Sequence, residues 1–149
     1  MPDMIKGRCF CGSIRFELEL PLKWSVACHC ESCRRQCSAP MTAYVGVSDG
    51  QWRFLGDAPS IHHSSPGVER RFCGTCGSPL TFQSDKMTGL MHFYVAALED
   101  PEAFPPQVHV AAEERLCWFD LPNGIRAVEG PRVPDDAPPP TGGADGVGI

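Results

Sequence analysis

Of nine cysteines in a chain of 149 residues, seven gather into three tight groups, and that grouping restricts what the chain can fold into more than any other feature. Cys9-x-Cys11 stands near the start, Cys28-x-Cys30-x-x-Cys33 follows, and Cys73-x-x-Cys76 lies beyond a long interval. Thiols one or two residues apart can turn toward a single ion, and Gly12 and Gly77, directly after two of the groups, give the chain freedom to make that turn. Zinc is the ion the pattern suits first.

Whether the thiols are free depends on where the chain resides. Its first residues, MPDMIKGRCF, lack the charged start and apolar run of a signal peptide, and no stretch approaches the roughly 20 apolar residues of a membrane span. The expectation is a soluble, cytoplasmic protein, in whose reducing surroundings thiolates serve metal binding or chemistry rather than disulfides. The odd cysteine count also leaves one thiol over in any all-disulfide scheme.

A net charge of −5 and a pI near 5.5 argue against binding a nucleic-acid backbone, which needs clustered Lys and Arg. The basic residues that do cluster are Arg34-Arg35 and Arg70-Arg71, each beside a cysteine group. Adjacent arginines are ordinarily a solvated pair. Beside thiolates they also stabilise negative charge or hold an anionic substrate.

At 42% hydrophobic the chain can bury one core, and the organisation predicted is a single domain over residues 1–130 with a tail over 131–149. Short stretches of β-branched and aromatic residues, cut by Gly, Pro and Asp, recur along the domain. They cover Ser13–Leu20, Met41–Val47, Gln51–Leu55, Glu69–Phe72, Leu80–Gln83, His92–Ala97 and Gln107–Val110. Ile14-Arg15-Phe16-Glu17-Leu18 alternates in polarity, and the whole reads as mainly β and mainly antiparallel. A helix is predicted over Glu31–Ser38, with single turns at Glu99–Phe104 and Ala111–Glu114. Beyond Gly130, Pro, Asp and Gly dominate, too little apolar surface to offset ordering entropy. If ordered, this tail is expected to lie on its own domain or on a neighbouring subunit.

The cysteine groups divide into two sites. Cys9, Cys11, Cys73 and Cys76 form two knuckles that together offer four sulfurs, enough to close a tetrahedral zinc shell; the alternative is four buried free cysteines. One ion would then cross-link distant parts of the chain. Cys28, Cys30 and Cys33 offer three sulfurs, and a site with three protein ligands keeps a position open for water or substrate. The alternative is a second closed ion, its fourth ligand being Cys37, His29, His62, His63 or a carboxylate. Cys37 is the main rival, standing one helical turn after Cys33.

The order Gly7-x-Cys9-x-Cys11-Gly12-x-Ile14-x-Phe16, then Cys28-His29-Cys30-x-x-Cys33-Arg34-Arg35, then Phe72-Cys73-x-x-Cys76-Gly77-x-x-Leu80 resembles the glutathione-dependent formaldehyde-activating enzyme family, which includes the centromere protein V type. The match runs from about Ile5 to Trp118. The resemblance implies a β-tent fold of small coiled sheets, with a structural zinc on Cys9, Cys11, Cys73 and Cys76. It also implies a catalytic zinc on Cys28, Cys30 and Cys33, so two zinc ions per chain. The implied reaction adds glutathione to formaldehyde, giving S-hydroxymethylglutathione, as a carbon–sulfur lyase. Arg34 and Arg35 are then expected to meet the carboxylates of glutathione. Cys37 departs from the family pattern, which leads us to expect a small residue there.

Outside the thiols, His92 and His109 fall in alternating apolar stretches and read as hydrogen-bonded strand histidines, while His62-His63 reads as an exposed polar loop. Either pair becomes a general acid or base if it faces the middle group. Trp24, Trp52 and Trp118 read as core, Trp118 also as a pocket wall. Cys117 reads as a small buried hydrophobe, and Glu31 and Ser32 as groups supporting the metal loop.

Three functions follow: a thiol–aldehyde lyase, a non-enzymatic zinc module that holds a protein partner, or a thiol redox protein using Cys28, Cys30, Cys33 and Cys37. The first needs two zinc ions and the third leaves one. A Cys37 sulfur about 2.3 Å from the middle ion would close that site and favour the binding module.

Overall fold

Alternation in Ile14-Arg15-Phe16-Glu17-Leu18 buries Ile14, Phe16 and Leu18 while the intervening residues stay nearer solvent, as a strand with one covered face requires. The computed structural model describes residues 4–140. The first three residues, and residues 141–149 of the expected tail, lie outside them. In chain order the strands are β1 (Met4–Arg8), β2 (Ile14–Glu19), β3 (Trp24–Cys28), β4 (Thr42–Ser48), β5 (Trp52–Gly56), β6 (Ser60–Ser65), β7 (Val68–Phe72), β8 (Pro79–Ser84), β9 (Leu90–Tyr94), β10 (Val108–Val110) and β11 (Arg126–Ala127). One helix, α1 (Glu31–Cys37), follows β3, and single 3-10 turns form at Asp85–Met87, Val95–Ala97, Pro101–Ala103 and Ala112–Glu114.

The strands build two sheets. A small one has the order β1-β2-β5, and a large one the order β11-β10-β3-β4-β9-β8-β7-β6. Pairing is antiparallel except at β10, which runs parallel to both β3 and β11. This is the mainly β, β-tent class that the sequence and the resemblance led us to expect.

Because side chains alternate along a strand, the large sheet separates two cores. On one face Val45, Val47, Met91, Phe93 and Leu80 meet Ile14, Phe16 and Leu18 of the small sheet, with the Phe16 and Phe93 ring centroids 4.6 Å apart. Each such side chain contributes about 1.5–3 kcal/mol by leaving water. On the other face Val26, Tyr44, Tyr94, Val108 and Val110 pack with Cys28, Cys33 and Val133. At Gly7 a Cβ would collide with the Phe16 ring and the Ala97 carbonyl, so glycine lets β1 lie flat there.

Residues 131–140 run against this second core. Val133 is 5% exposed and Ala137 packs beside it. Gln107 Nε2 donates to the Pro139 carbonyl at 3.0 Å, and Arg126 pairs with Asp136 at 2.9 Å. Among the described residues no helix is long and apolar enough to cross a membrane.

Several details differ from the sequence expectations. His62 and His63 lie on β6, an exposed edge strand, rather than in a loop. Trp118 is 67% exposed and Cys117 is exposed too, because the stretch that carries them has no strand partner to bury it. His109 is hydrogen-bonded as expected, but both nitrogens of His92 lack a partner.

Candidate metal centre

Cys9 and Cys11 follow β1, and Cys73 and Cys76 follow β7, so two strand ends deliver four thiols to one place. Their sulfurs all lie within 4.8 Å of one another. Cys9 and Cys11 Sγ are 3.6 Å apart, and Cys11 and Cys73 Sγ 3.8 Å. Four sulfurs each about 2.3 Å from one ion stand about 3.8 Å apart, so the spacing is that of a tetrahedral thiolate shell. A disulfide would need about 2.05 Å, and all nine cysteines are free thiols.

Local backbone aims these sulfurs. Gly12 and Gly77 both take φ +82°, turning each knuckle back on itself. The Ile14 N–H points at Cys9 Sγ and the Cys76 N–H at Cys73 Sγ, each at 3.4 Å, which spreads thiolate charge onto the backbone. The Ser78 hydroxyl accepts from the Phe10 N–H at 2.9 Å and lies 3.2 Å from Cys76 Sγ, tying the knuckles together. That hydroxyl is the first cause holding the Cys76 thiol down at about 5. The Ser13 hydroxyl likewise pulls Cys73 below the ordinary cysteine range.

The second group sits where β3 enters α1. Cys28 ends the strand, Cys30 caps the helix, and its sulfur accepts from the Cys33 N–H at 3.4 Å. Cys28, Cys30 and Cys33 again hold their sulfurs within 4.8 Å of one another. No fourth Cys, His, Asp or Glu of the described residues joins this cluster. Cys37 instead faces a separate cavity with Tyr94 and Met41. His29 turns its buried ring away to His109 and Phe119, its Nε2 2.8 Å from His109 Nδ1, while its backbone N–H donates to the Val110 carbonyl at 3.1 Å. His62 and His63 stay on the exposed edge strand.

Within the protein the three sulfurs share protons unequally. Hydrogen bonds from Cys28 and then Cys33 hold the Cys30 thiol far below its ordinary value, with the Arg70 charge adding to the effect. Cys28 is pushed up to about 11, first by its bond to Cys30, and Cys33 is pushed up by Cys28 and Cys30. Both thiol clusters are therefore all-sulfur donor sets suited to a thiophilic divalent ion.

The three thiols open onto a cavity of about 540 Å³ between α1 and the β6–β8 side of the large sheet. Arg35, Arg70 and Lys86 line it and, among the described residues, no Asp or Glu does, although the chain as a whole is acidic. Arg35 is held to Glu31 at 3.0 Å, and Ser32 lines the same wall. Arg34 turns away, its Nε donating to the His29 carbonyl at 3.0 Å, and lines a shallow groove with Trp118.

Arg70, which the sequence offered only as part of the Arg70-Arg71 pair and not among the expected substrate contacts, stands on this wall. It is 7% exposed, stacks over the Phe82 ring at 4.9 Å, and donates to Ser64 Oγ at 3.1 Å and Tyr94 Oη at 3.4 Å. Among the described residues no carboxylate pairs with it. Its position in the Arg70-Arg71 pair was the available signal. Strand alternation separates the two, since Arg71 instead binds Glu69 and Gln83.

Comparison with known proteins places these features in company. A family model described as glutathione-dependent formaldehyde-activating enzyme matches residues 4–114. A Halomonas elongata protein described as "Putative glutathione-dependent formaldehyde-activating enzyme" is 27% identical over 128 residues, covering 79% of this chain and 81% of that protein. A Schizosaccharomyces pombe protein described as an uncharacterized lyase is 33% identical over 84 residues, 55% of this chain and 58% of its own. The crystal structure of a Rhodobacter sphaeroides protein superposes with a TM-score of 0.55 at 25% identity, over 63% of this chain and 87% of that one.

Proposed function

The chain belongs to the glutathione-dependent formaldehyde-activating enzyme family, and on that ground we propose that it is a zinc-dependent carbon–sulfur lyase joining a small thiol, glutathione or a close analogue, to formaldehyde or another small aldehyde. The observation that carries this reading is a cluster of three thiols, with no fourth ligand among the described residues, at the wall of a cationic cavity. Had Cys37 joined the cluster, four sulfurs would close the shell and favour a non-enzymatic zinc module.

In this reading Cys9, Cys11, Cys73 and Cys76 hold a structural zinc, and Cys28, Cys30 and Cys33 hold a second. Zinc at the second site supplies Lewis-acid chemistry, lowering the proton affinity of a thiol or polarising a carbonyl brought to it. The reaction balances without any oxidant: the thiol S–H adds across C=O, a carbon–sulfur bond forms, and the proton ends on oxygen. The protein's own part is binding and orientation. A cavity of about 540 Å³ lies within the range of small-ligand sites. Arg70, buried and with no carboxylate partner among the described residues, attracts an anionic thiol, and the Tyr44 and Phe82 rings keep water from one side of it. Arg35 and Lys86, nearer solvent, meet a second carboxylate.

The test is formaldehyde consumption with glutathione, measured against the uncatalysed rate, for the native chain and Cys30→Ser. The native chain is expected to carry two zinc ions and to accelerate the addition. Cys30→Ser is expected to carry one and to fall to the uncatalysed rate. Equal rates in the two proteins, with zinc unchanged, would overturn the proposal.

A further inference from the structure

The family match ends at residue 114, yet residues from beyond it reach the thiol cavity. Pro131 forms part of the cavity wall, and Val133 is packed in the same core as Cys28, Cys33 and Tyr44. We propose that Pro131 is a specificity-determining residue, a rigid wall that limits the bulk of the substrate reaching the three thiols. This inference rests on the lyase reading for its substrates but not for its geometry.

The wall is tied to the strand that carries the site. Cys28 is in register with Val110 across the parallel pair of β3 and β10. From β10 onward the strap is bound residue by residue. The Val128 N–H donates to the His109 carbonyl at 2.9 Å, the Ala112 N–H to the Val128 carbonyl at 3.0 Å, and the Ala111 N–H to the Gly130 carbonyl at 2.7 Å. The Glu113 carboxylate then accepts from the Gly130 N–H at 2.8 and 3.0 Å. Gly130 turns the chain at φ +77°, and the next residue is Pro131, whose ring fixes its own φ. Val133 closes the arrangement by burying its side chain two residues later. A proline held at its amino side by three backbone bonds and a carboxylate, and followed by a buried anchor, has little room to yield to a larger ligand.

Pro131 touches neither zinc group through a ligand atom, so changing it alters space and leaves the thiols intact. Two variants separate shape from stability: Pro131→Gly, which widens the wall, and Glu113→Ala, which loosens it from outside the cavity. In the zinc-loaded full chain, a small maleimide and a bulky dye-bearing maleimide are compared for their rate of labelling the peptide that carries Cys28, Cys30 and Cys33. The peptide carrying Cys73 and Cys76 serves as the internal reference for general loosening. A pocket that gains a methylene or two of room shifts discrimination by about tenfold, so the bulky-to-small ratio at the first peptide is expected to rise about that much in both variants while the reference ratio stays constant. An unchanged ratio at Cys28–Cys33, or an equal rise at both peptides, would overturn the proposal. The matching kinetic readout is the preference for a bulkier aldehyde over formaldehyde, expected to rise in Pro131→Gly. If no thiol–aldehyde pair reacts with the native chain, the lyase reading fails, and the labelling ratio still decides the role of Pro131.

Discussion

The His92 ring lies fully buried, stacked on Trp24 at 5.8 Å, edge-on to Tyr44 at 4.9 Å and near Phe82, with no hydrogen bond on either nitrogen. Burial therefore keeps the imidazole neutral and lowers its pKa from 6.5 to about 4. The unfolded chain binds a proton here more readily than the folded one, so His92 favours folding fully above pH 6.5 and loses that contribution as pH falls toward 4. His92→Phe keeps an aromatic ring and removes the proton site. Urea denaturation between pH 7 and 4 is expected to show a shallower loss of stability in the variant. Identical pH slopes would rule the mechanism out. Acid release of any metal held by the thiols would affect both proteins alike and drop out of the difference. The residue's surroundings were only half legible in the sequence: alternation put His92 in a strand, but a partner's absence depends on Trp24 and Tyr44, far away in the chain. Cys37 shows the same limit. Its spacing from Cys33 put it on the same helix side, whereas at the helix end, just before the αL turn at Ser38, it lines another cavity with Tyr94 and Met41.

Among elements, the two knuckles bridge β1 of the small sheet to β7 of the large one, so the ion they suit would hold together two sheets otherwise joined by side-chain packing and the backbone bonds of Lys6 and Gly7 to Leu98 and Glu99 after β9. Structural zinc sites are worth on the order of 10–16 kcal/mol in small peptides, comparable with the whole stability of a domain. Cys73→Ser is expected to lower the thermal midpoint by tens of degrees, or to prevent folding. Milder chelation of the native chain is expected to raise hydrogen exchange first in β1, β2 and β7. Protection that survives chelation in β1 and β2 would show that packing and those backbone bonds alone join the sheets. The knuckles could be read directly because chelating spacing and positive-φ glycines are local in sequence. So could β2, β4 and α1, whose patterns are strong. The strand β3 was missed because four of its five residues are buried, which erases alternation, and β6 because Ser60–Ser65 is an exposed edge with the polarity of a loop. β1 was hidden by Lys6, Gly7 and Arg8, whose fitness for a strand rests on the Phe16 ring across from Gly7.

At the scale of the whole molecule, the change of composition at Gly130 was plain, but what residues 131–140 do was not. One valine among prolines and aspartates has no periodicity, and its burial follows from the surface that β10, β3 and α1 leave uncovered beside Val110 and Cys33. We propose that this segment belongs to the domain energetically as well as by contact. Removing two methyl groups from a side chain 5% exposed costs about 2 kcal/mol, so Val133→Ala should lower the thermal midpoint by several degrees. A chain ending at Gly130 loses that packing, the Arg126–Asp136 pair and the Gln107–Pro139 bond together. The exposed ion pair adds at most about 1 kcal/mol, so the truncated chain should be only modestly less stable than Val133→Ala. Comparing the three proteins by urea denaturation decides the matter: a truncated chain as stable as the full one would make the segment a passenger on the surface. A large loss from truncation with none from Val133→Ala would instead move the anchor from the valine to the other contacts of residues 131–140, the Arg126–Asp136 pair, the Gln107–Pro139 bond and the packing of Ala137.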